Sequence, residues 1–280
     1  IMPKTIAPFN PDDMLMAMRA ASLAPYRDVL NLTPDGRIQR FRVEGDKAGS
    51  RNGWAVAHAD PMPHGAFGSW KTGVQHTWRK ASRDPLTPAQ HAIMHGQFEA
   101  MRRARDAAQA GAYADAARRA AELWNKAGAA DPFHAYLVKK LVSPIRLRQL
   151  RDRLVVPVRD VDGRLTSLQF IDGGDRKRFL RSGRLKAAYF SIGRVRGDVL
   201  LLCEGVATAL TLHMATGRPT AASFSAGNLE PVARALKRKM PSVRILVCGD
   251  DDPVGRREAQ RAAAAVDGAT MFPVFSKGCA

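Results

Sequence analysis

The chain has 280 residues and a formal net charge of +18, with 44 lysine and arginine residues against 26 aspartate and glutamate residues. An excess of positive charge attracts polyanions, so nucleic acid is the leading predicted partner. No apolar run approaches the roughly 18 residues that a membrane-spanning helix needs, and the first residues contain no signal-peptide core. These features argue against a membrane partner and predict a cytoplasmic protein.

The cysteines are Cys203, Cys248 and Cys279. They match no zinc-ligand spacing and are too few for a disulfide framework. We therefore expect reduced thiols and no zinc.

Residues 1–82 are predicted to form an N-terminal helix followed by a small β-domain without cysteine. After the helical stretch DDMLMAMRAA, the chain is rich in Gly, Trp, Asp and Asn, and its short alternating stretches are separated by turn residues. Trp70 and Trp78 lie beside Lys71 and Arg79, and interleaved aromatic and cationic side chains suit single-stranded bases. Tryptophans in a small β-domain more often form its core, so both interpretations stay open.

Residues 83–130 are predicted to contain one long helix rich in alanine and arginine. The stretch TPAQ at 87–90 is typical of a helix start, with Thr87 as the cap, Pro88 in the first position and Gln90 in the third. The helical composition continues to about residue 125.

Residues 131–198 are predicted to form a basic α+β segment. A short helical stretch is followed at 153–172 by two strands joined through Asp162 and Gly163. Residues 141–198 hold 14 lysines and arginines against 6 aspartates.

Residues 199–280 alternate strands with helices, which predicts a doubly wound parallel α/β sheet. In such sheets the site lies at the carboxyl ends of the strands. Glu204 follows the strand VLLLC, and Asp250, Asp251 and Asp252 follow the strand RILVC. Alternation along an extended backbone places Asp250 and Asp252 on one side and Asp251 on the other. Crowded carboxylates are favourable around a hard divalent cation, so we expect Glu204, Asp250 and Asp252 to bind Mg²⁺ or Mn²⁺ and to be catalytic.

Basic residues beside such a site suggest a surface that holds nucleotide and template phosphates. The predicted phosphate-binding residues lie in the segment 153–186: Arg153, Lys177, Arg178, Arg181 and Lys186. The loop SFSAGNLE at 223–230 precedes a helix. Its backbone N–H groups suit a phosphate, and Asn228 suits a helix cap; both interpretations stay open.

The acidic motifs resemble those of the Toprim domain found in bacterial-type primases. EGVATA at 204–209 differs by one residue, Val206, from a signature of primases encoded by plasmids and phages, and DDDPVG at 250–255 is similar to a segment of cellular primases. RLVVPVRDVDGRL at 153–165 looks like the opening of the basic subdomain of the primase core, and RKRFL at 176–180 places Arg178 on that family's lysine.

The resemblance implies a Toprim sheet at 199–280, a basic α+β primase subdomain at 131–198, a long helical region at 83–130, and an N-terminal β-domain in the position of the family's zinc ribbon. It implies a DNA primase that makes short RNA primers by divalent-metal-dependent nucleotidyl transfer. The implied partners are single-stranded DNA, ribonucleoside triphosphates and a replicative helicase. The chain ends where the family has a further acidic cluster, so we expect a Toprim domain truncated at its C-terminus. The alternatives are a Toprim nuclease and a non-catalytic module that binds single-stranded nucleic acid.

Overall fold

A computed structural model describes residues 8–28, 30–60, 62–81 and 87–274 of the chain. The backbone forms two compact units, Ile1–Ala110 and Gly111–Ala280. The predicted boundary at residue 82, Cys279 and the C-terminal end of the chain lie outside the described residues. The four-part division into domains stays a prediction.

The first unit contains a four-stranded antiparallel sheet in the order β1-β2-β3-β4. Its described elements are α1 (Pro11–Ala20), β1 (Gln39–Phe41), β2 (Gly53–His58), β3 (His64–Ser69) and β4 (Gln75–Arg79). Pro11 occupies the first turn of α1, and the Asn10 side chain accepts a hydrogen bond from the Asp12 N–H at its start. Met14 and Met18 of α1 pack against Phe41 and Phe67 in a buried cluster. The predicted helix and small β-domain are therefore present.

One helix, α2, runs from Pro88 to Lys126. At its start the Gln90 N–H donates to Thr87 Oγ1 at 3.3 Å, and the Thr87 N–H donates to Gln90 Oε1 at 2.9 Å. This reciprocal pair is the capping box that the sequence predicted. Residues of α2 before and after Ala110 belong to different units.

After α2, the second unit contains a five-stranded antiparallel sheet in the order β5-β6-β7-β8-β9. Its elements are β5 (Gly128–Ala129), α3 (Ala135–Lys140), β6 (Arg148–Leu150), β7 (Arg153–Arg159), β8 (Leu165–Ile171) and β9 (Lys177–Phe179). Strands β7 and β8 form the predicted hairpin, and Gly163 in its turn has φ +82°, in the left-handed region that glycine adopts without steric cost.

A second five-stranded sheet has the order β10-β12-β11-β13-β14. The elements in chain order are β10 (Phe190–Ile192), β11 (Val199–Cys203), α4 (Val206–Thr216), β12 (Thr220–Ala222), α5 (Leu229–Lys239), β13 (Arg244–Cys248), α6 (Pro253–Ala264) and β14 (Ala269–Met271). Strands β12, β11, β13 and β14 pair in parallel, and β10 pairs with β12 antiparallel.

Helices cover both faces of this parallel sheet. Leu201 and Cys203 of β11 share a buried cluster with Ala209 of α4. The alternate residues Leu200 and Leu202 share another cluster with residues of α5 and α6. Because successive side chains of a strand point to opposite faces, α4 lies on one face and α5 and α6 lie on the other. The predicted doubly wound α/β fold is confirmed. No helix in the described ranges is long and apolar enough to cross a membrane.

Candidate active site

The ends of two neighbouring parallel strands bring the predicted carboxylates to one edge of the sheet. Strands β11 and β13 pair in register, with Cys203 beside Cys248. Glu204 therefore follows one strand at the level where Gly249 follows the other, and Asp250 comes next along the chain. The Phe224 N–H donates to the Glu204 carbonyl at 2.8 Å, so the backbone of Glu204 is also held from the β12 side.

The electrostatic surroundings of Glu204 show that these groups influence one another. Glu204 is partly buried, and burial raises the pKa of its carboxyl group. The negative charges of Asp250 and Asp252 raise this pKa further, whereas the positive charge of Lys177 lowers it. The predicted acidic residues and one predicted basic residue thus interact at this edge of the sheet.

The three consecutive aspartates have different local roles. Asp252 is the N-cap of α6, where its Oδ1 accepts a hydrogen bond from the Gly255 N–H at 2.7 Å. Asp251 forms an ion pair with Arg256 at 2.6 Å. Asp250 is exposed. A Cβ atom at Gly255 would lie 2.7 Å from the Asp250 carbonyl oxygen, so this loop packs on α6 more closely than a side chain at position 255 permits.

The donor set suits a divalent cation, because carboxylate oxygens are the ligands that Mg²⁺ and Mn²⁺ prefer. Within the described ranges, however, no group of three or more His, Cys, Asp and Glu side chains is arranged so that it could hold a metal ion. The carboxylates of Glu204, Asp250 and Asp252 are therefore suitable ligands for a metal ion, but their side chains are not arranged as a preformed coordination site.

The predicted basic residues lie mainly on the antiparallel sheet of the same unit. Lys177 and Arg178 are exposed on β9, next to β8. Phe179 of β9 makes an edge-to-face contact with Phe224, at 5.5 Å between ring centroids. Since the Phe224 N–H donates to the Glu204 carbonyl, this contact connects β9 to the acidic strand end.

Three other predicted phosphate-binding residues are exposed at the surface. Arg153 begins β7, and its Nε atom lies 3.8 Å from Asp152. The carbonyl of Arg181 accepts a hydrogen bond from Arg119 at 3.3 Å. Lys186 lies in the segment before β10. Their role in phosphate binding stays a prediction.

Comparison with known proteins identifies the domain that carries the acidic strand ends. Residues 199–275 match the family described as Toprim domain. These residues form a Toprim domain. The match covers the doubly wound sheet from β11 onward and includes Glu204, Asp250 and Asp252.

The chain is also similar to two proteins named DNA primase TraC from Escherichia coli. One is 32% identical over 260 residues, which are 87% of this chain and 24% of that protein. The other is 29% identical over 283 residues, which are 95% of this chain and 20% of that protein. The chain thus spans a quarter or less of the length of these curated relatives. The resemblance to Toprim primases of the mobile-element kind is confirmed.

The chain also has a partial likeness to a solved structure, the primase fragment of the bacteriophage T7 primase-helicase protein. It is 18% identical, covers 50% of this chain and 64% of its own, and superposes with a TM-score of 0.41.

The side chain of Asn228, at the start of α5 in the Toprim domain, has a different role from the one that the sequence suggested. Asn228 occupies the N-cap position of α5, as the cap interpretation predicted, but its side chain makes no capping hydrogen bond. The buried Asn228 amide instead accepts from the Ala187 N–H at 2.9 Å. Its nitrogen lies within hydrogen-bond distance of three backbone carbonyls, those of Leu185, Ala188 and Ser223. The side chain ties the segment before β10 to the loop after β12, and contact with a nucleotide stays a prediction.

The two tryptophans predicted to stack on bases belong to the first unit. Trp78 is partly buried and packs edge-to-face on Phe9, at 6.1 Å between ring centroids. Trp70 is partly buried and packs on the buried Trp54, at 6.2 Å between ring centroids, with the Arg40 guanidinium 4.3 Å from its own ring centroid. Both make the core-type contacts that the sequence left as the more common alternative. Base stacking stays a prediction.

Sequence reasoning missed two features of the second unit. The Tyr136 ring is fully buried, and Lys177 Nζ lies 5.9 Å from its centroid. Arg146, Arg148 and Arg159 gather around Trp124. The basic composition of residues 141–198 was a signal for the arginines, but their convergence depends on strand pairing and not on spacing along the chain.

Proposed function

We propose that the chain is the catalytic part of a DNA primase, which synthesises short RNA primers on single-stranded DNA. The observation that carries this proposal is the meeting of Glu204 with Asp250 and Asp252 at the carboxyl ends of paired strands in a Toprim domain. The similarity to proteins named DNA primase, over most of this chain, supports the same activity.

In this proposal, Glu204, Asp250 and Asp252 hold Mg²⁺ or Mn²⁺. The ion would neutralise charge on the reacting phosphate and orient the attacking and leaving oxygens. The Asp252 Oδ1 atom accepts from the Gly255 N–H, which leaves the other oxygen for a ligand. No zinc is required, since the N-terminal β-domain contains no cysteine.

Basic side chains hold the phosphates of the incoming ribonucleoside triphosphate and of the template. Lys177 is the first of these, because its charge acts directly on Glu204. Arg178 follows it on β9, and Arg153, Arg181 and Lys186 extend the basic surface. A basic side chain near the carboxylates attracts a triphosphate into the site and holds it while the 3′-hydroxyl of the primer approaches.

The proposed partners are single-stranded DNA as the template, ribonucleoside triphosphates as substrates and a replicative helicase. The proposed compartment is the cytoplasm, where these partners meet. These assignments follow from the proposed activity and are tested together with it.

One observation favours a second candidate. The carboxylates of the described residues do not form a ready-made metal cage, as expected for a Toprim domain that binds single-stranded nucleic acid without catalysis. A Toprim nuclease would use the same carboxylates to hydrolyse phosphodiesters.

Incubation of the chain with single-stranded DNA, the four ribonucleoside triphosphates and Mg²⁺ or Mn²⁺ separates these candidates. Short RNA products that require both metal and template support the primase. Shortened DNA identifies a nuclease. Binding of DNA without either product, under conditions in which the protein is folded, supports the non-catalytic module.

A further inference from the structure

Three arginine side chains of the second unit meet around one tryptophan. The guanidinium carbon of Arg148 lies 4.5 Å from the Trp124 ring centroid, and that of Arg159 lies 6.0 Å from it. Arg148 also donates to the Trp124 carbonyl at 2.6 Å, and Arg159 donates to the Gly163 carbonyl at 2.9 Å. Two of the three guanidinium groups are therefore held in place by the backbone.

Arg146 completes the cluster without a comparable anchor. Together with Arg148 and Arg159 it lines a cleft of about 160 Å³ whose other walls are Trp124, Leu147 and Pro157. No carboxylate lines this cleft. Three positive charges therefore line one cleft together with aromatic and aliphatic groups.

The cluster has an excess of positive charge that the surrounding side chains do not neutralise. None of the ion pairs among the described residues includes Arg146, Arg148 or Arg159. Burial lowers the pKa of Arg159, and the charges of Arg146 and Arg148 lower it further. Like charges brought this close repel each other. An anion bound between the guanidinium groups would interact favourably with each of them and offset this repulsion.

Carboxylates line a second, adjoining cleft. This space of about 300 Å³ shares Arg146 and Arg159 with the first and is also lined by Asp160 and Asp162. Asp160 is already paired with Arg184 at 2.9 Å. An anion is therefore expected in the smaller cleft, which carries cations without carboxylates.

This cleft is distinct from the basic residues of β9. Leu154, near the start of β7, pairs with Ile171 of β8, which pairs in turn with Lys177. Arg159 is at the other end of β7, five residues from Leu154. At about 3.3 Å per residue this is roughly 16 Å along the strand. That distance separates Arg159 from the row of Lys177. Arg148 pairs with Val155, beside Leu154, and is separated from β9 by the two strands β7 and β8, which at about 4.8 Å per strand is about 14 Å across the sheet. Lys177 and the arginine cluster are therefore expected to contact different phosphates.

We propose that Arg146, Arg148 and Arg159, gathered around Trp124, form a second phosphate-binding site that holds one phosphate of a single-stranded nucleic acid. Guanidinium groups present paired donors that match phosphate oxygens, and an aromatic ring among them suits a nucleotide. The nature of the ligand rests on the proposed function, whereas the phosphate chemistry follows from the arginines alone. A triphosphate from a free nucleotide would offer the same chemistry.

The test measures equilibrium binding of a fluorescein-labelled oligothymidylate to the full 280-residue chain by anisotropy, in EDTA and at several KCl concentrations. The test variants are Arg146→Gln, which has no backbone anchor to lose, and Arg159→Gln. Arg218→Gln, an exposed arginine between α4 and β12, removes the same charge elsewhere in the unit. A parallel titration uses a labelled, non-hydrolysable nucleoside triphosphate.

Loss of one phosphate contact weakens binding and lowers the slope of log K against log[KCl] by about 0.7 on a single strand. We expect this change in both test variants and not in Arg218→Gln. A loss confined to the triphosphate titration supports the phosphate site and assigns it to the incoming nucleotide. Equal behaviour of all three variants with both probes overturns the proposal. Because EDTA prevents catalysis, this result is independent of whether the chain synthesises primers.

Discussion

Cys203 and Cys248 lie side by side in the paired strands β11 and β13, and this register determines where the acidic residues meet. The next residues along the two strands are Glu204 and Gly249, so Glu204 and Asp250 differ by only one step along the sheet edge. The parallel direction of the strands is essential, since only parallel neighbours end at the same edge.

The first prediction concerns Glu204. In the primer-synthesis assay with Mg²⁺, Glu204→Gln should lower the rate by more than about 100-fold, because it removes a charge that we propose as a ligand of the catalytic metal, and a metal of this kind stabilises the transition state by several kcal/mol. Circular dichroism and oligonucleotide binding in EDTA should stay close to those of the wild type.

Asp251→Asn is the matched control for that change. Asp251 pairs with the half-exposed Arg256, and such surface pairs contribute about 0–1 kcal/mol. Synthesis should therefore persist in Asp251→Asn. Undiminished synthesis by Glu204→Gln would refute the assigned metal site.

The second prediction concerns the close approach of the acidic loop to α6. In Gly255→Ala, the added methyl group would meet the Asp250 carbonyl at 2.7 Å. Overpacking of this kind costs about 1–3 kcal/mol, which exceeds the gain in helix propensity of up to about 1 kcal/mol. We expect a lower urea midpoint together with weaker metal-dependent synthesis.

Gly111→Ala in α2 is the comparison, because no atom other than its chain neighbours and the backbone of its own helix lies within 4 Å of the added Cβ. This variant should be stabilised by about 0.5–1 kcal/mol. A Gly255→Ala protein as stable as Gly111→Ala would show that the acidic loop is not packed on α6.

The third prediction concerns Asn228. Removal of its amide in Asn228→Ala leaves the Ala187 N–H and several carbonyls without their partner, and buried unsatisfied groups cost about 1–3 kcal/mol each. Unfolding in urea should be easier by at least about 2 kcal/mol. Asn228→Asp should not rescue stability, because a carboxylate cannot donate to the carbonyls. Wild-type stability in Asn228→Asp would contradict this assignment.

The fourth prediction concerns pH and Asp46 in the first unit. Burial raises the pKa of Asp46, but hydrogen bonds from Lys71 and Asn52 outweigh it, so the pKa is lower than usual. A carboxyl group whose pKa is lower in the folded protein stabilises the fold at pH values above its pKa in the unfolded chain, which is about 3.9. This contribution is lost as the pH falls through the pKa of the folded state.

Asp46→Asn should therefore destabilise the first unit by about 1 kcal/mol near neutral pH, and the difference from the wild type should shrink below about pH 4. Thermal unfolding followed across this pH range measures it. Glu44→Gln, an exposed neighbour, is the control. A constant difference at all pH values would show that the Asp46 charge does not contribute.

Much of the second unit could be predicted from sequence because its strands are apolar runs that end in charged residues. VLLLC is fully apolar, and RILVC is apolar after its first residue, Arg244, so the sequence predicts both strands and the acidic edge. Strand β10 was not predicted, because it has only three residues in a polar segment and is held by pairing with β12.

The roles of individual side chains were harder to predict. Alternation along an extended backbone predicts equivalent roles for Asp250 and Asp252, yet Asp252 precedes a proline at the start of α6 and is the N-cap of that helix. The Asp-Pro pair is a local signal for this role. Asn228 has partners about 40 residues away. The arginine cluster likewise depends on β6 and β7 lying side by side. Contacts of this kind follow from tertiary structure and are not encoded in local spacing.

The alternation of buried residues along β11 limits which insertions and deletions this part of the sequence can tolerate. Because helices pack on both faces of the strand, its apolar side chains fit only in their present order. An insertion of a single codon within β11 would exchange the two faces and turn Glu204 away from the edge that it shares with Asp250. Insertions and deletions in descendants of this chain are therefore expected in the loops at the opposite end of the strands, where they leave the carboxylates in place.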